Sequence, residues 1–251
     1  IAQDFAKEQD YYRAITAYKR ALFLMPSHEK QRQPEVEFSI IQAYYFGYKY
    51  AEAIEAFEKS SLLFASPDFS ALQDLLTMVY ECYLQIDNCE KAENVLKHLE
   101  KINCERAEKL KAYGSLKNND LCTLDTINDP EGVYCTFINH YYAEEKSVET
   151  AQFYNAVLPG AGYLYVGQKN TALTSFLINA LFIGAAYQFF DRGYPAAGLI
   201  TASLETGWYF GGIYGAGLAA REYNQRIYER SAENTMVENR IFPILMLQTT
   251  F

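Results

Sequence analysis

Pro159, Gly160, Gly162 and Gly167 crowd into one short stretch, "NAVLPGAGYLYVGQKN" (Asn155–Asn170). Glycines at such spacing can wrap backbone amides around a phosphate. A dinucleotide loop, however, follows a strand and carries a third glycine three residues after the second, where Tyr165 stands. The phosphate reading fails on both counts. His28, His98 and His140 are scattered, and neither HExxH nor Gly-x-Ser-x-Gly occurs. Cys135 and His140 share a predicted helix, but a Cys–His nucleophile also needs an orienting third group and a pocket, so a structural use is expected. The carboxylates Glu52, Glu55 and Glu58 read as a solvated face. No catalytic set, metal set or cofactor is expected, and the protein is not read as an enzyme. Glu205 stands apart, as a single ionisable residue inside a long apolar run. Such a residue within a membrane span is a functional candidate by default.

The composition says which elements hold these residues. Of 251 residues half are hydrophobic, and 22 Tyr with 16 Phe make the chain rich in aromatics. The formal charge of −9 is unevenly placed, with 16 Lys and Arg against 25 Asp and Glu up to Leu158 and 6 against 6 afterwards. An acidic block followed by an almost uncharged one predicts two domains in two solvents. The acidic block also argues against nucleic acid, whose phosphates are met by clustered Lys and Arg. Cys82, Cys89, Cys104, Cys122 and Cys135 form no CxxC and are odd in number, so unpaired and mostly buried thiols are expected.

A repeat fills the acidic block. "DYYRAITAYKRAL" (Asp10–Leu22), "KYAEAIEAFEKSS" (Lys49–Ser61) and "NCEKAENVLKHLE" (Asn88–Glu100) align without gaps. Ala14, Ala53 and Ala92 recur at 39-residue intervals, as do Tyr18, Phe57 and Leu96, and upstream Phe5, Tyr44 and Tyr83. Apolar spacing of i, i+3, i+4 and i+7 predicts two amphipathic helices per unit, with Pro26 and Pro67 ending the second. The pattern Tyr-x-x-Ala-Ile-x-x-(Tyr/Phe) resembles the tetratricopeptide repeat over about residues 1–104. The period exceeds the usual 34, and Ile41 and Tyr80 stand where that family places a first-helix glycine. The resemblance implies a helical-hairpin solenoid that binds other proteins or peptides, with Phe38, Gln42, Tyr45, Thr77, Glu81 and Leu84 lining its groove. Residues 105–146 read as a degenerate helical extension.

The apolar block predicts a hairpin in a membrane over residues 147–230. "TALTSFLINALFIGAAYQFF" (Thr171–Phe190) carries no charge in 20 residues, enough at about 1.5 Å each to cross a hydrocarbon core of about 30 Å. Asp191–Pro195 makes a polar turn, and Ala196–Ala220 forms the second span with Glu205 as its one charge. Ser203, Gly207, Gly211, Gly215 and Ala219 recur every four residues, a small-residue face through which two helices, or two copies of the chain, can approach. Ala180 and Gly184 offer the complementary notch. Counted from the turn, Asn179 and Glu205 lie at similar depth, and Glu205 is expected to be protonated or bonded to Asn179. Val148–Leu158 reads as an interfacial amphipathic helix. Pro159, Gly160, Gly162, Tyr165 and Gly167 then form an interfacial turn, with Tyr163 and Tyr165 at headgroup level.

Pro-Gly-x-Gly-x-x-Tyr-x-Gly followed by such a hairpin and by "WYFGGIYGAGLAAREYN" (Trp208–Asn224) resembles a group of poorly characterised bacterial envelope proteins that join tetratricopeptide-like repeats to the same hairpin. The resemblance implies a location in the bacterial cell membrane or envelope. Lys169, Arg221, Arg226 and Arg230 against Arg192 would put both outer ends in the cytoplasm, whereas the resemblance implies an exported repeat half; of the two, the exported side is expected. Residues 231–251, ending in "NRIFPILMLQTTF", read as an extended apolar tail that docks or touches lipid. The expectation is thus an all-α chain serving as a membrane-anchored interaction scaffold, with a small transport or channel component centred on Glu205 as the alternative.

Overall fold

The computed structural model describes residues 1–66 and 69–248, and among them every regular element is helical. Pro67 and Phe251, singled out above, lie outside the described residues. The chain divides into two compact units, Ile1–Tyr134 with Asn234–Phe251, and Cys135–Glu233.

The first unit is a succession of helical hairpins. Its helices are α1 (Ala2–Lys7), α2 (Tyr11–Phe23), α3 (Gln33–Phe46), α4 (Tyr50–Glu58), α5 (Leu72–Gln85), α6 (Cys89–Glu100), α7 (Cys104–Lys117) and α8 (Leu121–Asp125). One turn recurs between the members of each pair. Gln9, Tyr48 and Asp87 hold φ of 62°, 57° and 57° at the 39-residue spacing, and Asn119 does the same at 56°. A left-handed residue with a Cβ costs about 1–2 kcal/mol. The turn recovers part of this by closing the helix end, since the next amide donates back five residues: Asp10 to Phe5 at 2.8 Å, and Lys49 to Tyr44, Asn88 to Tyr83 and Asp120 to Ser115 at 2.9 Å. Asp10, Asn88 and Asp120 then cap the following helix through their side chains.

Two consequences follow for the repeat. The α7–α8 pair uses the same turn, so a further hairpin stands where the sequence suggests a degenerate extension. The long period is taken up by single 3-10 segments, Ser27–Arg32 and Ser61–Phe64, between one hairpin and the next. Each helix packs on its sequence neighbours, and α3 also on α5. Ala14, Ala53, Ala92, Tyr18, Phe57 and Leu96 are all buried, which is why their types recur. Tyr80 finds room where the next first helix offers Gly114, at which a side chain would collide with the Tyr80 hydroxyl.

Over its described residues, most of the expected extended tail is helical. Helix α13 (Pro195–Glu238) continues without a break past residue 231, Arg240 turns the chain at φ 52°, and α14 (Pro243–Met246) packs on α5 and α7. Helical propensity in "YERSAENTMVE" carries the helix on, and Ile241 and Pro243 are then buried. Among the cysteines only Cys82 is buried; Cys89, Cys104, Cys122 and Cys135 are exposed and no disulfide joins any of them. Cys89 and Cys104 open helices on the solvent side, which overrides the usual burial of a thiol.

The second unit holds α10 (Val148–Val157), α11 (Ala161–Tyr165), α12 (Lys169–Asp191), most of α9 (Val133–Glu144) and α13 as far as Glu233. Helix α12 has 23 residues, about 34 Å at 1.5 Å each. Among the described residues it is the one helix long and apolar enough to cross a membrane. Ala196–Ala220, expected as a second span, belongs to the 44-residue α13, where Glu205 and its Gly, Thr and Tyr neighbours dilute the apolar run.

Candidate functional site

In the first unit, the residues expected to line an open groove are mostly buried between helices. Phe38, Gln42, Tyr45, Thr77 and Leu84 are buried, and Glu81 is partly so. The Phe38 ring meets Phe69 edge-on, Leu84 lies beside Gly114, and the Thr77 hydroxyl donates to the Gln73 carbonyl. Glu81 gathers three successive first helices, accepting from the Tyr45 hydroxyl of α3 on one oxygen and from the Tyr113 hydroxyl of α7 at 3.1 Å on the other. Burial, and then the Glu81 charge, push the Tyr45 and Tyr113 phenols up. These residues tie repeats together, because in closely stacked pairs the first helices face one another.

A different pair reaches a polypeptide. Asp74 of α5 and Arg106 of α7 are both buried and bonded at 2.8 Å. Asn103 sets the arginine in place, capping the Arg106 amide at 3.0 Å while its own amide donates to Gln73 at 2.9 Å. The pair then grips main-chain atoms near the C-terminal end. Arg106 Nη2 donates to the Met246 carbonyl at 2.8 Å, and the Gln248 amide donates to Asp74 Oδ2 at 2.9 Å. Beside them the Phe242 ring lies 6.1 Å from that of Tyr113. Neither Asp74 nor Arg106 was singled out from the sequence; the one signal is an acid placed within the apolar run of α5.

In the second unit the glycine cluster is a packing knot. Leu158 is extended and ends α10, and Gly160, at φ 93°, starts α11 with its amide held by Asn155 Oδ1 at 2.9 Å. A Cβ at Gly160 would strike the Ala172 carbonyl of α12, and one at Gly162 would strike the Ala151 carbonyl and lie 2.7 Å from the Ala216 side chain of α13. Gly167 adds a second left-handed turn at φ 81° before α12. Tyr165 accepts from the Ser147 amide at 3.3 Å and stacks edge-on against Tyr154, so it braces the turn. Further along, the Asn224 amide exchanges two hydrogen bonds of 2.9 Å with the Lys146 main chain, and the Tyr209 hydroxyl donates to the Ala156 carbonyl.

The small-residue face is corrected. Ser203, Gly207 and Gly211 are exposed, as are Ala180 and Gly184, and only Ala219 of the stripe is buried, with Gly215 beside the Tyr163 hydroxyl. A helix of 3.6 residues per turn drifts about 40° at each four-residue step, so Ser203 and Ala219 point about 160° apart. The face that is buried instead runs Gly198, Glu205, Ala216 and Ala219 on α13, and Ala172, Ser175, Asn179 and Ala186 on α12. Asn179 and Glu205, 2% and 8% exposed, are both inside but not bonded to each other. The Asn179 amide donates back to the Ser175 carbonyl at 2.6 Å, while its Oδ1 and both Glu205 oxygens have no partner among the described residues. A cleft of about 640 Å³ opens nearby, lined in part by Tyr163, Ser175, Trp208 and Gly212.

Cys135 and His140 each have a partner on their own helix. Cys135 accepts from the Asn139 amide at 3.3 Å, and His140 lies 3.7 Å from Glu144 one turn on. No group of His, Cys, Asp and Glu among the described residues is arranged to hold a metal. Comparison with known proteins finds no match among family models, curated proteins or solved structures.

Proposed function

We propose that the protein is a membrane-anchored interaction module, in which tetratricopeptide-like hairpins hold another polypeptide and the α12–α13 hairpin holds the bilayer. One observation carries the anchor. Helix α12 turns most of its large apolar side chains outward, and the positions it buries are small or polar. Leu173, Phe176, Leu177, Leu181 and Ile183 are exposed, Leu181 to 70%, while Ala172, Ser175 and Asn179 are buried. Water penalises that arrangement by about 25 cal/mol for each Å² of apolar surface left exposed, whereas lipid favours it, small inward residues giving close helix approach. Leu199, Ile200, Leu204, Trp208 and Phe210 continue the outward apolar surface on α13. Support for an interaction role comes from the Asp74–Arg106 wall, which already grips a polypeptide main chain. The bacterial envelope as setting, and an exported repeat half, rest on the resemblance of the Pro-Gly-x-Gly turn and hairpin.

Flotation of the full chain with phospholipid vesicles tests the anchor. Association that resists high salt and alkaline carbonate is expected, while a monodisperse protein in plain buffer would overturn the reading. A transport or channel role centred on Glu205 is the second reading, and the unpartnered oxygens of Glu205 and Asn179 favour it. Glu205→Gln separates the two, since it would abolish vesicle ion flux in a transport component and leave flotation unchanged.

A further inference from the structure

We infer that Asp74 and Arg106 form a clamp for the main chain of an apolar polypeptide, and that residues 241–248 of this chain occupy it as a displaceable resident ligand. The inference rests on reading the repeats as an interaction surface and names what that surface recognises.

The chemistry lies in which atoms are gripped. The guanidinium donates to the carbonyl of Met246 and the carboxylate accepts from the amide of Gln248, two residues on. Both are main-chain groups, so these two bonds carry no side-chain identity and suit any chain extended at the residue between. Leu247 has that conformation, with φ −70° and ψ 133°. A donor and an acceptor fixed side by side recognise an extended peptide as a sheet edge does. Here the pair is ionised, which strengthens both bonds.

The resident ligand is held unevenly along its length. Ile241 and Pro243 are buried and Phe242 meets Tyr113, but Ile244 and Leu245 remain 50% and 58% exposed. The four-residue α14 is far too short to persist by its own propensity. The wall, by contrast, favours being filled. Without a peptide, one Arg106 nitrogen loses its main-chain partner within a buried ion pair, and such a group is costly to leave unsatisfied. A partner's apolar segment of the same kind therefore competes with the chain's own.

Binding of a fluorescent synthetic peptide with the sequence of residues 239–251 to the detergent-solubilised full chain, followed by anisotropy, tests the clamp. The natural chain should bind it weakly, because its own segment competes. The double variant Phe242→Ala with Gln248→Pro, which loses the Tyr113 contact and the Gln248 amide, should bind it at least tenfold more tightly. Arg106→Gln added to that variant should abolish binding. Should Arg106→Gln unfold the hairpins, the peptide itself supplies the control: methylating the Gln248 amide of the peptide should cost at least tenfold, and replacing its Gln248 side chain with Ala should cost little. Equal binding by the natural and double-variant chains, or indifference to amide methylation, overturns the clamp. Vesicle flotation in the same preparations reads the anchor separately, so a failed clamp beside intact flotation leaves the membrane reading standing.

Discussion

Glycines in this chain do two kinds of work, and their surroundings tell them apart. Gly160 and Gly162 sit where a methyl group would collide with the backbone of a neighbouring helix, whereas a methyl group at Gly207 or Gly211 would meet nothing from outside its own stretch of helix within 4 Å. Gly162→Ala should therefore destabilise the second unit by about 1–3 kcal/mol through overpacking. Gly211→Ala should be neutral or stabilise by up to about 1 kcal/mol through helix propensity. Thermal unfolding of both variants in detergent checks the pair, and equal effects would return the four-residue stripe to the packing face. The glycine cluster was legible as a turn. Its burial against α13 was not, because the contact joins Gly162 to Ala216 across 54 positions of sequence.

Among the elements, the first helices of the repeats are joined by tyrosines that the fold keeps neutral. Burial pushes the phenols of Tyr80, Tyr83 and Tyr113 up, and raises Tyr134 from an ordinary 10.0 to about 12, with Asp129 adding to the effect. A folded value above the unfolded one contributes stability that is whole below the unfolded value and is lost as pH rises through the folded one. The first unit should thus hold to about pH 10 and lose stability progressively towards pH 12. Far-ultraviolet dichroism and phenolate absorbance measured together check this. Phenolate signal from the buried rings should appear only as helix signal disappears, and early ionisation of all rings in a folded chain would contradict it. The left-handed turn at Gln9, Tyr48 and Asp87 keeps the 39-residue period although the residue types there differ, and the period reads in the sequence through the buried Ala14, Ala53 and Ala92.

At the scale of the whole molecule, the segment after α13 belongs with the repeats although more than a hundred residues separate it from them. Ile241 is among the largest side chains in full burial, and its amide closes α13 by donating to the Met236 carbonyl at 2.9 Å. Ile241→Ala should cost the first unit about 2–4 kcal/mol, while Leu245→Ala, at an exposed site, should change little. Hydrogen exchange of the α5 and α7 amides reads the difference, and unaltered protection in the Ile241 variant would detach the segment from the stability of the repeats.

Periodicity in one sequence records how each stretch meets its own surroundings. The repeat, the all-helical character and the length and apolarity of α12 were accordingly settled by the order of residues alone, since helix formation and hydropathy are local. Which side of α13 turns inward was decided by accumulated helical twist, to which a stripe of small residues is blind. The seating of residues 241–248 on Asp74 and Arg106 was decided by tertiary structure alone. Hydrogen bonds between side chains and a main chain 140 and 174 positions away leave no pattern in either partner's neighbourhood.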